Sequence, residues 1–126
     1  MPSTLTLHEM SSKHLPEPVP YAVLAPDGEG PLPLCLLLLG GGATRESLFD
    51  LQPVFDRWWA DSGVPRMIVA TPSAGLDYYI EDPAGSLRWD SFLLSDFIPH
   101  LRSTWNAGAC VVAGISGGGY GALKLV

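Results

Sequence analysis

The chain has 126 residues, which is the length of one domain at most. A hydrophobic share of 47% and a charged share of 16% provide enough apolar side chains for a folded core and exclude disorder through polarity. The net charge of −6 and the pI of about 4.7 argue against nucleic acid and against an anionic membrane surface as partners.

No segment predicts a membrane-spanning helix or a secretion signal. The longest apolar run, Leu32–Leu39, is broken by Pro33 and is far shorter than the ~20 residues that a membrane helix needs. Residues 1–10 lack a basic start followed by an apolar stretch, so we expect no signal peptide. Cys35 and Cys110 lie in apolar runs without metal-ligand spacing, which favours buried free thiols over a disulfide or a metal site. We therefore expect a cytoplasmic location.

The first half of the chain predicts three strands and a helix. Leu5–His8 and Tyr21–Leu24 are short strand-like stretches. Leu34–Leu39 is apolar at every position, which predicts a central parallel strand covered by helices on both sides. After a glycine triplet, apolar residues at helical spacing predict a helix over Leu48–Trp59, which Pro53 interrupts or delays.

The second half continues the alternation of strands and helices. It predicts a buried strand at Met67–Ala70, a helix from Ser86, a buried strand at Cys110–Ala113 and a helix from Gly121. This order predicts an α/β fold with a mostly parallel sheet. The sequence ends inside an apolar helix without a capping residue, so we expect residues 1–126 to be the N-terminal portion of a single larger domain.

One short motif indicates nucleophilic chemistry. Gly114-Ile115-Ser116-Gly117-Gly118 fits the pattern Gly-x-Ser-x-Gly, directly after a predicted buried strand and before a helix. In this setting a serine is held on a strained bend that presents its hydroxyl at the carboxyl end of the strand, and glycines are needed where strand and helix approach closely. We predict that Ser116 is a nucleophile; the alternative is a serine in a tight turn that caps the helix.

The triplet Gly40–Gly42 is the second candidate part of the site. It follows the predicted central strand, so it is expected at the same edge of the sheet as Ser116. Acyl transfer needs two backbone N–H donors aimed at the developing oxyanion. We predict that Gly117 supplies one donor and Gly41, or else Gly42, the other, while a plain strand-to-helix turn is the alternative.

These motifs resemble a known family. The stretches that carry the resemblance are Leu37–Gly42, Tyr78–Leu101 and Gly114–Leu123, of which Ser116-Gly117-Gly118-Gly119-Tyr120-Gly121-Ala122-Leu123 is the most specific. They resemble the α/β-hydrolase superfamily and, within it, the esterase D-like branch with S-formylglutathione hydrolases, enterochelin-type esterases and mycolyltransferases. The resemblance implies a three-layer sandwich and a serine esterase that acts on small-molecule esters or thioesters without a metal or an organic cofactor.

Two departures from the family pattern affect the prediction. Many members have a histidine before the paired glycines, where this chain has Leu39. The family's acid and histidine follow the serine, whereas this sequence ends ten residues past Ser116. We therefore expect the Asp and His to lie outside this sequence and the 126-residue chain alone to be inactive. Half a sheet also exposes a strand edge, so self-association or a complementary C-terminal half is expected.

The remaining candidates concern the substrate and the alternatives to hydrolysis. Tyr78, Tyr79 and Trp89 are expected either to line the acyl or alcohol pocket or to pack beneath the loop that precedes the second helix. His100 is predicted to lie far from the serine at the end of that helix. A non-catalytic relative that binds a ligand or a partner is the alternative function, favoured by Leu39 alone, and acyl transfer to a sugar is a third.

Overall fold

The computed structural model describes residues 3–27, 31–40, 43–61, 63–74, 79, 82, 85, 87–114 and 117–125. The strands are β1 Thr4–Met10, β2 Val19–Ala25, β3 Leu32–Leu38, β4 Ile68–Pro72 and β5 Ala107–Gly114. The helices are α1 Ser47–Asp61, α2 Trp89–Ser91, a π-helical segment Phe92–Phe97, α3 Ile98–Trp105 and α4 Gly117–Leu125. The predicted α/β alternation is confirmed.

The five strands form one mixed sheet in the order β1-β2-β4-β3-β5. β2 is antiparallel to both of its neighbours, β1 and β4, and β3 is parallel to β4 and β5. Four of the five strands therefore run in one direction, in agreement with the predicted mostly parallel sheet. β3, β4 and β5 end at the same side of the sheet, which we call the carboxyl edge.

Helices cover both faces of the sheet, which confirms the predicted three-layer sandwich. On one face, Leu34, Leu36 and Leu38 of β3 are fully buried in a cluster with residues of the π-helical segment and α3. On the other face, Cys35 and Leu37 pack in a second cluster with residues of α1. β3 is thus apolar at successive positions because each of its faces meets a helix.

Helix α1 begins at Ser47 and continues through Pro53, so the proline neither interrupts the helix nor delays its start. Its entry is a tight turn, in which the N–H of Ser47 donates to the carbonyl of Thr44 at 3.0 Å. Pro53 is exposed, so water can bind the helical carbonyl that loses its N–H donor. Gly63, which follows the helix, has a φ of 68°, the left-handed conformation expected of a glycine that ends a helix.

The second helical region differs from the prediction in its start and in its buried side. It begins at Trp89 rather than Ser86, and its middle is π-helical, with the N–H of Ile98 bonded to the carbonyl of Leu93. A π turn contains more residues than an α turn, which changes the side that faces the core. As a result Leu94, expected on the buried stripe, is 53% exposed. Pro99 lies in the first turn of α3, directly after the π-helical segment, which is where a helix tolerates a proline.

β5 corrects the prediction of a further fully buried strand. Its side chains are half-buried or exposed, and Val111 is 52% exposed. Val111 lies beside Cys35 in the sheet, on the face that α1 covers elsewhere. The α1 cluster contains residues of β1, β2, β3 and β4, so over the described residues this helix leaves the β5 side of that face open. Cys110 is accordingly a half-exposed free thiol, whereas Cys35 is buried.

An aromatic group joins the first two strands to α3. Tyr21 stacks on His8 with ring centroids 5.1 Å apart, and its hydroxyl lies 3.2 Å from Nε2 of His100. Trp105 contacts the His8 ring edge-on at 5.1 Å. Burial lowers the pKa of His8 below its ordinary value of 6.5, and the nearby charges of His100 and Arg45 lower it further.

This environment predicts an acid-sensitive fold. Below pH of about 6.5 the unfolded chain takes up a proton at His8 that the folded chain resists, so the free energy of unfolding falls as the pH decreases. In His8→Phe, which keeps a ring against Tyr21, stability should depend less on pH. Urea midpoints measured at about pH 7.5 and about pH 5.5 test this. An unchanged pH dependence in the variant would contradict the prediction.

Candidate active site

The two candidate glycine loops lie at neighbouring strand ends on the carboxyl edge. β3 and β5 are paired, and Leu38 is the register partner of Gly114. The triplet begins at Gly40, two residues after Leu38, and α4 begins at Gly117, three residues after Gly114. β5 and α4 therefore lie on either side of the predicted turn, and the helix begins at Gly117 rather than at Gly121. Ser116, Gly41 and Gly42 themselves lie outside the described residues.

The glycines on either side of the predicted nucleophile have a steric reason. A Cβ at Gly114 would overlap the backbone carbonyl of Gly118, the second residue of α4. A Cβ at Gly118 would overlap the carbonyl oxygen of Leu38. Both obstacles are backbone atoms, which cannot rotate away as a side chain can. The expectation that only glycine fits at these two positions is thus confirmed.

Hydrogen bonds from buried hydroxyls hold the end of β3. The hydroxyl of Thr71, at the end of β4, donates to the carbonyl of Leu37 at 2.6 Å. The hydroxyl of Tyr79 donates to the carbonyl of Leu39 at 2.6 Å. The N–H of Ala43 then donates to the carbonyl of Gly40 at 3.1 Å, which closes the loop that contains Gly41 and Gly42. Three backbone carbonyls in the segment that leads into the proposed oxyanion loop therefore accept hydrogen bonds, which hold this segment in place.

The segment after the glycine triplet is hydrogen-bonded to β1 and to the residue that follows β4. The backbone N–H of Arg45 donates to the hydroxyl of Ser73, just after β4, at 2.6 Å. Its guanidinium donates to the carbonyl of His8 in β1, also at 2.6 Å. The sequence analysis did not identify these contacts of Arg45, or the hydroxyls of Thr71 and Tyr79. A hydroxyl next to an apolar strand end is the signal that could have indicated them.

The aromatic candidates are core residues in this structure. Tyr79 is 1% exposed and Trp89 is 2% exposed, and their rings meet edge-on at 5.4 Å. Of the two expected roles, packing beneath the loop is the one that this burial favours. Burial raises the pKa of Tyr79 to about 12, so its hydroxyl remains a neutral donor. Tyr78 lies outside the described residues.

Two cavities border the described part of the chain. A small one of about 90 Å³ lies at the carboxyl edge; it is lined by Leu15, Pro16, Glu17, Pro18, Val19, Ser73 and Trp89. A larger one of about 230 Å³ lies at the opposite end of the sheet, against the end of α1; it is lined by Pro26, Asp27, Asp56, Trp59, Ala60 and Arg66. The smaller cavity is the one at the edge that carries the glycine loops.

The histidines lie near β1 and β2, at the end of the sheet order opposite to β5. His8 and His100 flank Tyr21 on the β1–β2 side of the sheet, whereas Ser116 follows β5 at the opposite side. His14, which precedes β2, has its Nε2 3.9 Å from a carboxylate oxygen of Asp96. That carboxylate also accepts a hydrogen bond of 2.5 Å from Ser12, so these side chains hold the β1–β2 loop. Because Ser116 lies outside the described residues, the remoteness of His100 from it stays a prediction.

No three His, Cys, Asp or Glu side chains among the described residues are grouped as a metal site requires. None of the helices in the described ranges is both long enough and apolar enough to cross a membrane.

Known structures resemble this chain over almost its whole length. A ferulic acid esterase matches with a TM-score of 0.83 and 25% identity, over 97% of this chain and 54% of its own. An S-formylglutathione hydrolase from Agrobacterium tumefaciens matches with a TM-score of 0.77 and 19% identity, over 98% of this chain and 52% of its own. The S-formylglutathione hydrolase of Staphylococcus aureus matches with a TM-score of 0.76 and 15% identity, over 97% of this chain and 51% of its own.

These likenesses define the class of fold. The chain has the α/β-hydrolase fold and is similar to structures from the esterase branch of that superfamily. It spans about half the length of those structures. No family model matches the sequence, and no curated protein matches it either.

The close contact at Gly118 predicts a position-specific response to a single methyl group. Gly118→Ala forces a Cβ into the Leu38 carbonyl, so we expect a loss of about 2 kcal/mol or more in the free energy of unfolding. Gly119→Ala is the matched control, because the nearest atom to its Cβ is 3.8 Å away. Alanine also favours a helix by about 1 kcal/mol over glycine, so the control should not be destabilised. Equal denaturation midpoints for the two variants would contradict the steric explanation.

Proposed function

We propose that the protein is a serine hydrolase of carboxylic esters or thioesters with Ser116 as its nucleophile. The observation that carries the proposal is a pair of close backbone contacts, of Gly118 with Leu38 at the end of β3 and of Gly114 with Gly118. A serine between these glycines lies on a cramped bend beside the glycine triplet, and this is the arrangement that nucleophilic acyl transfer requires. The esterase names of the similar structures support the same reaction class.

The reaction begins with attack on the substrate carbonyl. The Oγ of Ser116 bonds to the carbonyl carbon and gives its proton to a histidine. The carbonyl oxygen becomes an oxyanion, which the N–H groups of Gly117 and Gly41 stabilise. Collapse of this intermediate breaks the C–O or C–S bond, and the leaving alcohol or thiol takes the proton. Water then attacks the acyl-enzyme, which releases the carboxylic acid and restores the serine.

The histidine and its acid partner come from polypeptide outside these 126 residues. His8 and His100 are engaged with Tyr21 at the far side of the sheet, and His14 lies against Asp96. The chain's coverage of about half of the similar structures leaves ample length in proteins of this class for both groups. Neither group requires a metal or an organic cofactor for this chemistry.

The substrate is a small molecule with one activated acyl carbonyl. Ferulic acid esterase and S-formylglutathione hydrolase, the names of two similar structures, represent an oxygen ester and a thioester. Tyr78 is the remaining proposed pocket residue, because the burial of Tyr79 and Trp89 favours packing beneath the loop. The free thiols of Cys35 and Cys110 support a reducing, cytoplasmic setting.

A fluorophosphonate probe tests the nucleophile directly. We expect the complete gene product to be labelled covalently and Ser116→Ala to lose the label, because the probe reacts with an activated serine hydroxyl. Ser103→Ala is the control; this serine is exposed on α3 and bonds to the carbonyl of His100, so labelling should persist. Intact-protein mass spectrometry measures the adduct. An unlabelled parent protein would instead favour a non-catalytic binding role.

The isolated 126-residue chain tests the source of the histidine. We expect its hydrolysis of p-nitrophenyl acetate to equal that of its own Ser116→Ala variant, because the nucleophile has no general base. Circular dichroism on the same samples confirms that both chains are folded to the same extent. Serine-dependent turnover by the isolated chain would show that a group within it serves as the base.

A further inference from the structure

We propose that Tyr79 is a positioning residue that holds the oxyanion loop and the nucleophile helix α4 at a fixed separation. The inference rests on the proposed function of Ser116 and Gly41, and it concerns how their relative position is maintained. Tyr79 is the largest of the fully buried side chains in the described part of the chain, yet it lies in a loop rather than in a strand or a helix.

One side chain contacts both elements that carry the proposed site. At its outer end, the Tyr79 hydroxyl donates to the Leu39 carbonyl at 2.6 Å, two residues before Gly41. Along its ring, it packs directly on the backbone of α4 at Gly121, four residues after Gly117. A Cβ at Gly121 would lie 2.8 Å from Cδ2 of the tyrosine ring. The ring therefore connects the two backbone segments that supply the proposed oxyanion donors.

The contacts of Tyr79 add a second fixed point between α4 and the end of β3. Gly118 already touches the Leu38 carbonyl, which fixes the distance between α4 and β3 at one place. A single contact leaves the helix free to pivot, and a pivot changes the angle between the two donors. The hydrogen bond of Tyr79 at Leu39 and its ring at Gly121 add a second fixed point. Two separated contacts define both the distance and the orientation.

The backbone of Tyr79 indicates that its side chain is held firmly. Its φ is 56°, in the left-handed region that bulky residues rarely adopt. Such a conformation persists only where the surroundings determine it, and it is concentrated at functional sites. Here the edge-on contact with Trp89 and the hydrogen bond to Leu39 hold the ring from two directions.

The chain contains a matched control for the loss of this hydroxyl. Tyr21 is also buried, at 3% exposure, and its hydroxyl also has one near partner, Nε2 of His100 at 3.2 Å. Tyr21 lies on β2, two strands from β3 in the sheet order, and its ring contacts are with His8, Phe97, His100 and Trp105. Tyr79→Phe and Tyr21→Phe thus remove the same group from comparable surroundings, but only the first removes it beside the glycine triplet.

The test compares both variants in the complete gene product. For Tyr79→Phe we expect kcat on an acyl ester to fall about 10- to 100-fold with KM changed less than about twofold, because misplaced donors weaken transition-state binding. For Tyr21→Phe we expect kcat within about twofold of the parent, even if its unfolding midpoint falls as far as that of Tyr79→Phe. Equal kcat values for the two variants at equal folded fractions would overturn the positioning role.

A readout without turnover separates this proposal from the proposed function. Amide hydrogen exchange in a peptide covering residues 39–44 should accelerate in Tyr79→Phe and stay unchanged in Tyr21→Phe. If the parent protein is not labelled by the probe at Ser116, the hydrolase proposal is refuted. If the exchange rate in Tyr79→Phe equals that of the parent, the positioning role of Tyr79 is refuted. Faster exchange with an undiminished kcat would also refute the positioning role, because the contacts of Tyr79 would then have no effect on catalysis.

Discussion

The contact between the backbone of α4 and the end of β3 is the constraint on which the carboxyl edge depends. Gly118 meets the Leu38 carbonyl with no room for a methyl group, and Gly114 meets the carbonyl of Gly118 in turn. The ends of β3 and β5 and the start of α4 are therefore in direct backbone contact, with no side chain between them at Gly114 and Gly118. This proximity brings the first amides of α4 beside the glycine triplet, where a helix N-terminus favours negative charge. The proposed esterase chemistry at this edge depends on that closeness.

A layer of buried hydroxyls supports the contact from beneath. Thr71 and Tyr79 each donate to a carbonyl of the β3 end, beyond Leu36, the last residue of β3 that is in register with β4. Buried carbonyls without donors are costly, so these side chains stabilise the fold as well as the loop. The same atoms thus perform two tasks, since a strand end that is satisfied and packed is also a rigid base for the residues that follow it.

The sequence predicted those parts of the structure that local pattern determines. β3 was identifiable because it is apolar on both faces, and the glycines at 114 and 118 because their spacing has a steric cause. β5 was misjudged, since its composition resembles that of β3 and its exposure depends on where α1 lies. The π-helical turn before Pro99 and the left-handed Tyr79 were also not predicted. Both are imposed by tertiary packing, which local propensity does not contain.

The position of the proposed nucleophile determines from where its partners can approach. Ser116 follows β5, which forms the last strand of the sheet order, and the exposed Val111 lies on that same strand. The β4 end and the β1–β2 loop occupy the other side of the carboxyl edge, held there by Ser73 and by the bond of Ser12 to Asp96. Under the proposed function, a histidine that reaches Ser116 would approach most directly from the β5 side. Polypeptide on that side would also lie over the exposed Val111, so the proposal links the cover of this face to the source of the general base.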